Sequence, residues 1–320
     1  MNKLFLKGSE LQVSELCLGT AAYGGELPAE AARDQLDCFY EAGGNFIDTA
    51  HIYNDWIPGE KSRSEKVIGS WLKDRGLRNQ MILATKGGHP DFASMDKGRL
   101  TPAELRKDME ESLACLRTEV IDLYILHRDD IIHPVGEILE YLEEQVKKGY
   151  IRYYGFSNWK KERLEAALEY GESHKLKGFV TNQLMWSMAK VNEEKVADKT
   201  LVTMDRDTYQ FHREKNLSAM AYMSMAKGYF TKRILDKALS EEQELMYAND
   251  INDRRFRILK EAGVSALEVT AYTLKFILAA PFSAVPIASF SSLSQLEEAV
   301  KGLELKISED LLKALINCEY

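Results

Sequence analysis

Ile82-Leu83-Ala84-Thr85-Lys86, then Thr101-Pro102-Ala103-Glu104-Leu105-Arg106-Lys107-Asp108-Met109, then Ile121-Asp122-Leu123-Tyr124-Ile125-Leu126-His127 is the stretch on which the fold turns. Its outer pieces are short apolar runs of strand length. The middle piece spaces Leu105, Met109, Leu113 and Leu116 three or four residues apart, the period of a helix with one apolar face. Thr101-Pro102-Ala103-Glu104 opens that helix as a capping box with proline in the first turn. Strand, helix, strand in this order builds a parallel sheet, because parallel neighbours need a crossover between them.

The same unit repeats outward in both directions. Strand-like runs occur at Leu16 to Leu18, Phe46 to Ile47, Met81 to Ala84, Ile121 to Leu126, Ile151 to Phe156, Phe179 to Val180, Leu217 to Tyr222 and Ala284 to Ile287. Helix-like segments lie between most of them, such as the one carrying Ile138, Leu139, Leu142 and Val146. Ser265 to Glu268 and Ser292 to Gln295 read as further capping boxes, and Gly43 and Gly149 follow helices where a chain reversal is needed. A hairpin-like opening (Leu4 to Leu6, Gly8-Ser9, Leu11 to Val13) precedes them all. Eight such runs without a Pro/Gly/Ser-rich linker predict an α/β fold: a single (β/α)₈ TIM barrel with a short N-terminal β-hairpin, covering residues 1–320 as one domain. An open parallel sheet is the alternative. Three connections exceed a simple βα turn, Gly87 to Leu100, Met185 to about Asp205 and Ala226 to about Arg255, and these long βα loops are expected to cover substrate and cofactor. The last is expected to hold helical pieces.

Composition narrows the function. At 320 residues, 45% hydrophobic and 29% charged, the chain suits a globular protein with a large core and excludes a disordered or collagen-like one. Lys and Arg total 42 against 50 Asp and Glu, so the net charge of -8 argues against nonspecific binding to nucleic acid or an anionic membrane and points to a small-molecule partner. No run approaches the roughly 20 apolar residues that cross a bilayer. The start, Met1-Asn2-Lys3-Leu4-Phe5-Leu6-Lys7, is charged again before a signal peptide's apolar region could form, so a cytoplasmic location is expected. Cys17, Cys38, Cys115 and Cys318 are scattered without a C-x-x-C pair, which gives no disulfide framework and no zinc site.

A barrel carries function at the C-terminal ends of its strands. Asp48 closes Asn45-Phe46-Ile47-Asp48, with Tyr53 a short turn later; Lys86 closes the next run and His127 the one after. Singly these read as a turn residue, a packed aromatic, a solvated charge and a core imidazole. Jointly they make a working acid. A carbonyl that receives a hydride needs a proton donor, and a tyrosine with an ordinary pKa of about 10 needs a cation to ease its ionisation. Lys86 supplies that charge, Asp48 holds Lys86, and His127 orients the carbonyl oxygen against Tyr53.

The segments FIDTAHIY (Phe46 to Tyr53), ILATKGG (Ile82 to Gly88) and IDLYILHRDD (Ile121 to Asp130) resemble the aldo-keto reductase superfamily, and the resemblance runs through nearly the whole chain. It implies reversible hydride transfer between NAD(P)H and an aldehyde or ketone, without metal, by an Asp48, Tyr53, Lys86, His127 tetrad. It further implies that Gly19 and Thr20, in Cys17-Leu18-Gly19-Thr20, form a cofactor-facing turn. Ser157, Asn158 and Gln183 would bond the nicotinamide carboxamide; Tyr222 would stack on the ring, and Ser224, Ala226 and Gly228 would cover the pyrophosphate. Ser289, Ser291 and Gln295 would line the adenine end.

Two segments depart from the family pattern. Relatives carry a Lys or Arg for the 2′-phosphate of NADP, followed by an Asn near adenine, where this chain reads Ser289-Phe290-Ser291-Ser292 and Ala299; NADP and NAD both stay open, and Lys227 or Arg233 could supply the missing charge. The chain also inserts Asn54 to Arg63 before Ser64-Glu65. Trp56 in that insertion, with His89, Arg128, Asp129, Asp130 and Trp186, is expected near the pocket mouth and leans the substrate toward a sugar or polyol-derived carbonyl. Two other functions compete: a noncatalytic nucleotide-sensing or regulatory barrel, and a metal-dependent barrel isomerase or hydrolase using Asp48, His51, His89 and His127. Lys86 is a poor companion for a metal.

Overall fold

A computed structural model describes residues 1–319; Tyr320, the last residue of the expected domain, lies outside the described residues. Strands β1 (Lys3–Phe5) and β2 (Gln12–Ser14) form the expected antiparallel hairpin, with Leu4 opposite Val13. The chain then alternates through β3 (Cys17–Gly19), α1 (Ala29–Glu41), β4 (Phe46–Asp48), α2 (Arg63–Arg75), β5 (Ile82–Gly87), α3 (Pro102–Leu116), β6 (Ile121–Leu126), α4 (Val135–Lys148), β7 (Ile151–Ser157), α5 (Lys161–Ser173), β8 (Thr181–Met185), α6 (Arg206–Lys215) and β9 (Ser218–Tyr222). After β9 come α7 (Tyr229–Ile234), α8 (Glu241–Tyr247) and α9 (Asp250–Glu261), the helical pieces expected in the third long loop. The circuit ends with α10 (Ala266–Leu278), β10 (Ala284–Ala288), α11 (Leu293–Glu304) and α12 (Glu309–Ile316).

Strands β3 to β10 close into one parallel barrel in sequence order, β10 pairing with β3. The open-sheet alternative is excluded by that pairing. Inward-facing residues of the strands, among them Cys17, Phe46, Ala84, Leu123, Ile125, Met220 and Val285, pack with Leu6, Leu11 and Val13 of the hairpin, which plugs the N-terminal end of the barrel. The outward faces pack under the helices: Ile47, Leu83 and Tyr124 meet residues such as Leu36, Ile68 and Leu105 on one side, and Leu184 and Ala219 meet Val269 and Phe276 on the other. No helix of the described residues is long and apolar enough to cross a membrane.

One strand sits later than its apolar run suggests. Phe179 and Val180 only lead into β8, whose residues Thr181-Asn182-Gln183-Leu184-Met185 are all buried. Of these polar side chains Gln183 lines the cavity and Thr181 bonds the Ser218 carbonyl; three polar residues in a row broke the apolar run, so hydropathy hid the strand. Capping boxes form at Thr101/Glu104 and Ser265/Glu268. At Ser292 only half of the expected box is present: Ser292 caps the N–H of Gln295, but the Gln295 amide oxygen accepts from the Ser291 N–H instead of closing on Ser292. A box that the sequence reading passed over forms at Ser240/Gln243.

Helices α2 and α3 touch at Gly69. A Cβ there would overlap the Cys115 carbonyl oxygen and stand 2.7 Å from the Leu116 carbonyl carbon, both backbone atoms that cannot swing aside. Gly69→Ala is therefore expected to cost about 1–3 kcal/mol of stability through overpacking. Urea unfolding of the two proteins checks this, and equal midpoints would contradict the close approach.

Candidate active site

Barrel register places the four tetrad candidates. Asp48 of β4 lies opposite Ala84 of β5, and Lys86, two residues further along β5, projects from the same inner face. Pairing continues past β4 through Thr49 N–H to Ala84 O and His51 N–H to Lys86 O, both 2.9 Å, and the turn that follows brings Tyr53 back over Lys86. The Lys86 ammonium, 1% exposed, donates to Asp48 Oδ2 at 2.7 Å, to the Thr49 carbonyl at 2.6 Å and to the Tyr53 hydroxyl oxygen at 2.9 Å. All three of its donors are thus met. The other oxygen of Asp48 accepts from the Gln183 amide at 2.8 Å, which fixes the carboxylate from the opposite side.

Burial alone pushes Lys86 toward neutrality, but Asp48 and then Tyr53 outweigh it and hold the ammonium above its ordinary pKa. Burial raises the Tyr53 phenol, and the Lys86 charge is the main force acting against that rise. His127 stands edge-on to Tyr53 with ring centroids 6.0 Å apart. Burial first, then the charges of Arg128 and Lys86, hold its imidazole well below the usual histidine range, so it is neutral. Its Nδ1 is buried with no partner in the protein. A cavity of about 640 Å³ opens in front of these groups. Its lining passes from Asp48, Tyr53 and His127 across Ser157, Gln183 and Tyr222 to Ser289, Ser291, Gln295 and Glu298.

A sequence model of the Aldo/keto reductase family matches residues 15–319. The chain belongs to this family. It is similar to the uncharacterized oxidoreductase YrpG of Bacillus subtilis, 29% identical over 98% of this chain and 95% of that protein. The norsolorinic acid reductase stcV of Emericella nidulans is 29% identical over 94% of this chain and 76% of its own length. Among solved structures, the holo form of aldo-keto reductase AKR11C1 from Bacillus halodurans superposes with a TM-score of 0.77 at 26% identity, covering 100% of this chain and 97% of that one. The protein is an NAD(P)H-dependent carbonyl reductase of the aldo-keto type.

The reductase's residues suit a dinucleotide. Gly19 lets the ends of β3 and β10 close together, since a Cβ there would lie 2.5 Å from Ser289 Oγ and 3.0 Å from Ile287 Cγ2. Gly19, Thr20, Ser157, Asn158, Gln183, Tyr222, Ser224, Ala226, Gly228, Ser289, Ser291 and Gln295, the whole set expected at the cofactor, line the one cavity. Several turn out to be braces. Asn158 Oδ1 accepts from the Tyr222 hydroxyl at 2.6 Å and the Val202 N–H at 3.1 Å, and its amide donates to Ser157 Oγ at 3.0 Å. Ser224 Oγ donates to the Ile287 carbonyl at 2.6 Å, and Thr20 Oγ1 to that of Asp48 at 2.9 Å. Ala226, Lys227 and Gly228 in succession take left-handed backbone, with φ of 46°, 52° and 75°. Only the glycine adopts that region without strain.

The expected substrate residues scatter. Trp186 is a correction: it is buried in the outer layer, stacked on Phe282 at 6.0 Å and edge-on to Tyr209 and Phe276, because the chain leaving β8 turns it away from the mouth. Arg128 borders the cavity but acts as a clasp, donating to the His127 carbonyl at 2.9 Å, to Thr200 Oγ1 at 2.8 Å and to Asp198 Oδ2 at 3.2 Å, which pins the loop after β8. Asp129 and Asp130 bond Arg163 and His133. Trp56 and His89 do not line the cavity; with Phe92, which sequence reasoning missed although it lies in the first long loop, they reach it only through His127, and His89 and Phe92 line a neighbouring pocket with His51 and Arg99. The rings form a file: Trp56 to Phe92 at 6.2 Å, Phe92 to His89 at 5.5 Å, His89 to His127 at 4.8 Å. Trp56 and Phe92 are 48% and 50% exposed. Among the described residues, no group of three or more His, Cys, Asp or Glu side chains is placed to hold a metal ion.

Two neutral imidazoles beside this site are checkable. Burial and Arg128 lower His89 to about 4, and His127 lies well below its ordinary 6.5. Ring signals of His127 in NMR should not shift between about pH 8 and about pH 5.5. A midpoint near 6.5 for either residue would contradict this environment.

Proposed function

We propose that this reductase passes a hydride reversibly between NAD(P)H and an aldehyde or ketone, with Tyr53 as proton donor in reduction and base in oxidation, and that residues 1–320 serve this activity as one domain. The observation that carries the reading is the Lys86 ammonium bonded at once to Asp48 and to the Tyr53 hydroxyl, two residues that line the cavity. The nicotinamide, when bound, supplies the hydride to the carbonyl carbon. Gln183 and Ser157 present polar atoms for its carboxamide and Tyr222 a flat wall for its ring. Neutral His127 offers one N–H to the carbonyl oxygen and holds it near the Tyr53 hydroxyl. As negative charge grows on that oxygen, the Tyr53 O–H bond breaks and its proton moves across, and the phenolate left behind stays beside Lys86. In oxidation the same phenolate takes the proton of the alcohol.

For substrate choice we look to what remains unengaged beside His127. Arg128, Asp129 and Asp130 bond other parts of the protein, so the polar support for a sugar or polyol-derived carbonyl reduces to His89, whose Nδ1 lies 2.6 Å from the Pro90 carbonyl oxygen. That bond requires the proton on Nδ1 and leaves Nε2 as an acceptor for a substrate hydroxyl. The exposed Trp56 and Phe92 rings add a flat apolar wall. Carbonyl compounds with a cyclic or aromatic face and a hydroxyl beside the carbonyl fit both features.

Tyr53→Phe should lower kcat by about 10²- to 10⁴-fold while leaving the dinucleotide Kd within about twofold, since the hydroxyl acts on substrate oxygen. Lys86→Met removes the charge that opposes the rise of the phenol, so the alkaline limb of the reduction profile, where the acid has lost its proton, should move to higher pH and oxidation should slow. Steady-state rates against pH for a carbonyl panel check both. Wild-type turnover by Tyr53→Phe would end the proposed chemistry.

A further inference from the structure

We propose that His89 is a positioning residue of this reductase: its ring, anchored to α3 through Arg99 and Asp108, holds the His127 imidazole turned toward the carbonyl oxygen of the substrate. The proposal rests on the hydride-transfer reading, in which His127 offers an N–H to that oxygen.

The imidazole needs such a hold. A histidine ring turns about a bond whose energy wells are broad and roughly two-fold, so it turns over unless its neighbours oppose it. The common restraint is a hydrogen bond to the second ring nitrogen, which fixes both the orientation and the tautomer. His127 lacks it, because Nδ1 is buried and has no partner. The backbone of the residue is secured, the His127 N–H donating to the Gly87 carbonyl at 2.8 Å, but that leaves the ring free to turn. What remains is packing. Tyr53 stands edge-on to His127 at 6.0 Å and 77°, and His89 stands edge-on at 4.8 Å and 68°. Edge-to-face pairs span about 4.5 to 7 Å between centroids, so His89 is the tighter neighbour and lies near the short limit of such contacts. A half turn of the His127 ring would have to displace it.

His89 can resist because its segment is tied down. Its Nδ1–H donates to the Pro90 carbonyl oxygen at 2.6 Å, and its own carbonyl accepts from Arg99 Nη1 at 3.0 Å. Arg99 donates in turn through Nη2 to Asp108 Oδ1 at 3.0 Å, and Asp108 Oδ2 accepts from the Gly88 N–H at 2.8 Å. Asp108 is fully buried on α3. One carboxylate thus holds Gly88 directly and His89 through Arg99. Gly88 makes the intervening turn with a φ of 72°, where a Cβ would come within 2.5 Å of Leu100 Cδ2. The Phe92 ring, 5.5 Å from that of His89, closes the outer side. The short segment from Lys86 to His89 therefore supplies the cation of the tetrad, the acceptor for the His127 N–H and the ring that packs on its imidazole.

Contact of His89 Nε2 with a substrate hydroxyl would leave a different signature, so two aldehydes separate the roles: benzaldehyde, which has no hydroxyl, and glyceraldehyde, which has one beside the carbonyl. His89→Ala should lower kcat on both by about 10- to 100-fold, the scale of a misplacement of about 1 Å at a reacting centre, with KM and the dinucleotide Kd within about twofold of wild type. His89→Phe, which keeps a ring in place without its nitrogens, should recover most of the loss on benzaldehyde. Carbon relaxation dispersion at the His127 Cε1–H should be flat in the wild type and in His89→Phe and should reveal microsecond-to-millisecond exchange in His89→Ala. Wild-type kcat on benzaldehyde in His89→Ala, a loss confined to KM for glyceraldehyde, no recovery in His89→Phe, or a flat dispersion profile in His89→Ala would each overturn the proposal. Failure of the wild type to reduce any carbonyl would instead bring down the hydride reading, while the dispersion profiles report on the hold of His89 over His127 without turnover.

Discussion

Lys86 carries a positive charge into a place with almost no water, and much of the molecule is arranged so that it can stay there. A buried ammonium costs several kcal/mol unless its donors are met and its charge is paired. Asp48 meets the charge, the Thr49 carbonyl and the Tyr53 oxygen meet the remaining donors, and Gln183 fixes the far side of Asp48. These partners come from β4, from the turn after it and from β8, on the far side of the ring. Only a closed barrel brings all of them to one point. The hairpin contributes at a distance by sealing the other end of the barrel with Leu6, Leu11 and Val13.

The stride of a strand explains why so much of this was legible. Residues two apart share a face, so the last inward apolar residue of several strands is followed, one step nearer the C-terminal end, by a residue at the cavity or its tetrad: Cys17 by Gly19, Phe46 by Asp48, Ala84 by Lys86, Ile125 by His127, Met220 by Tyr222. The apolar residue announces the strand and the polar one announces the site. The same rule hid β8, where Thr181, Asn182 and Gln183 carry polar character into the strand and left only Phe179 and Val180 to be noticed. Trp186 and Phe92 were beyond reach for a different reason. Both lie outside the strands, where no periodicity says which way a side chain turns, and tertiary packing sent Trp186 into the outer layer and Phe92 against His89.

Beyond the strands, buried arginines take over the task of ordering the chain. Arg128 clasps the loop after β8 through Thr200 and Asp198. Arg255, fully buried, donates to the carbonyls of Met188 and Leu315 and to Glu319, and so ties α9 to that loop and to the chain end around α12. A guanidinium suits such sites because its planar fork reaches several acceptors at once and stays charged. The two longest excursions of the barrel thereby converge on the same side of the cavity as Tyr222, whose hydroxyl reaches Asn158.

In the proposed reaction the cations near the cavity also divide the labour of proton handling. Tyrosine and histidine are both chemically able to give a proton to a carbonyl oxygen, and in water a protonated histidine would be the far stronger acid. Lys86 acts on the two in opposite senses. Its charge favours the ionised tyrosine, which is negative, and disfavours the ionised histidine, which is positive. Burial reinforces the second effect and Arg128 adds to it, so His127 cannot hold the extra proton that would make it an acid near neutral pH. It can still offer an N–H and a fixed edge. In the proposed reaction one buried ammonium therefore makes Tyr53 the acid and confines His127 to orientation, and the pair of roles follows from the sign of a single charge.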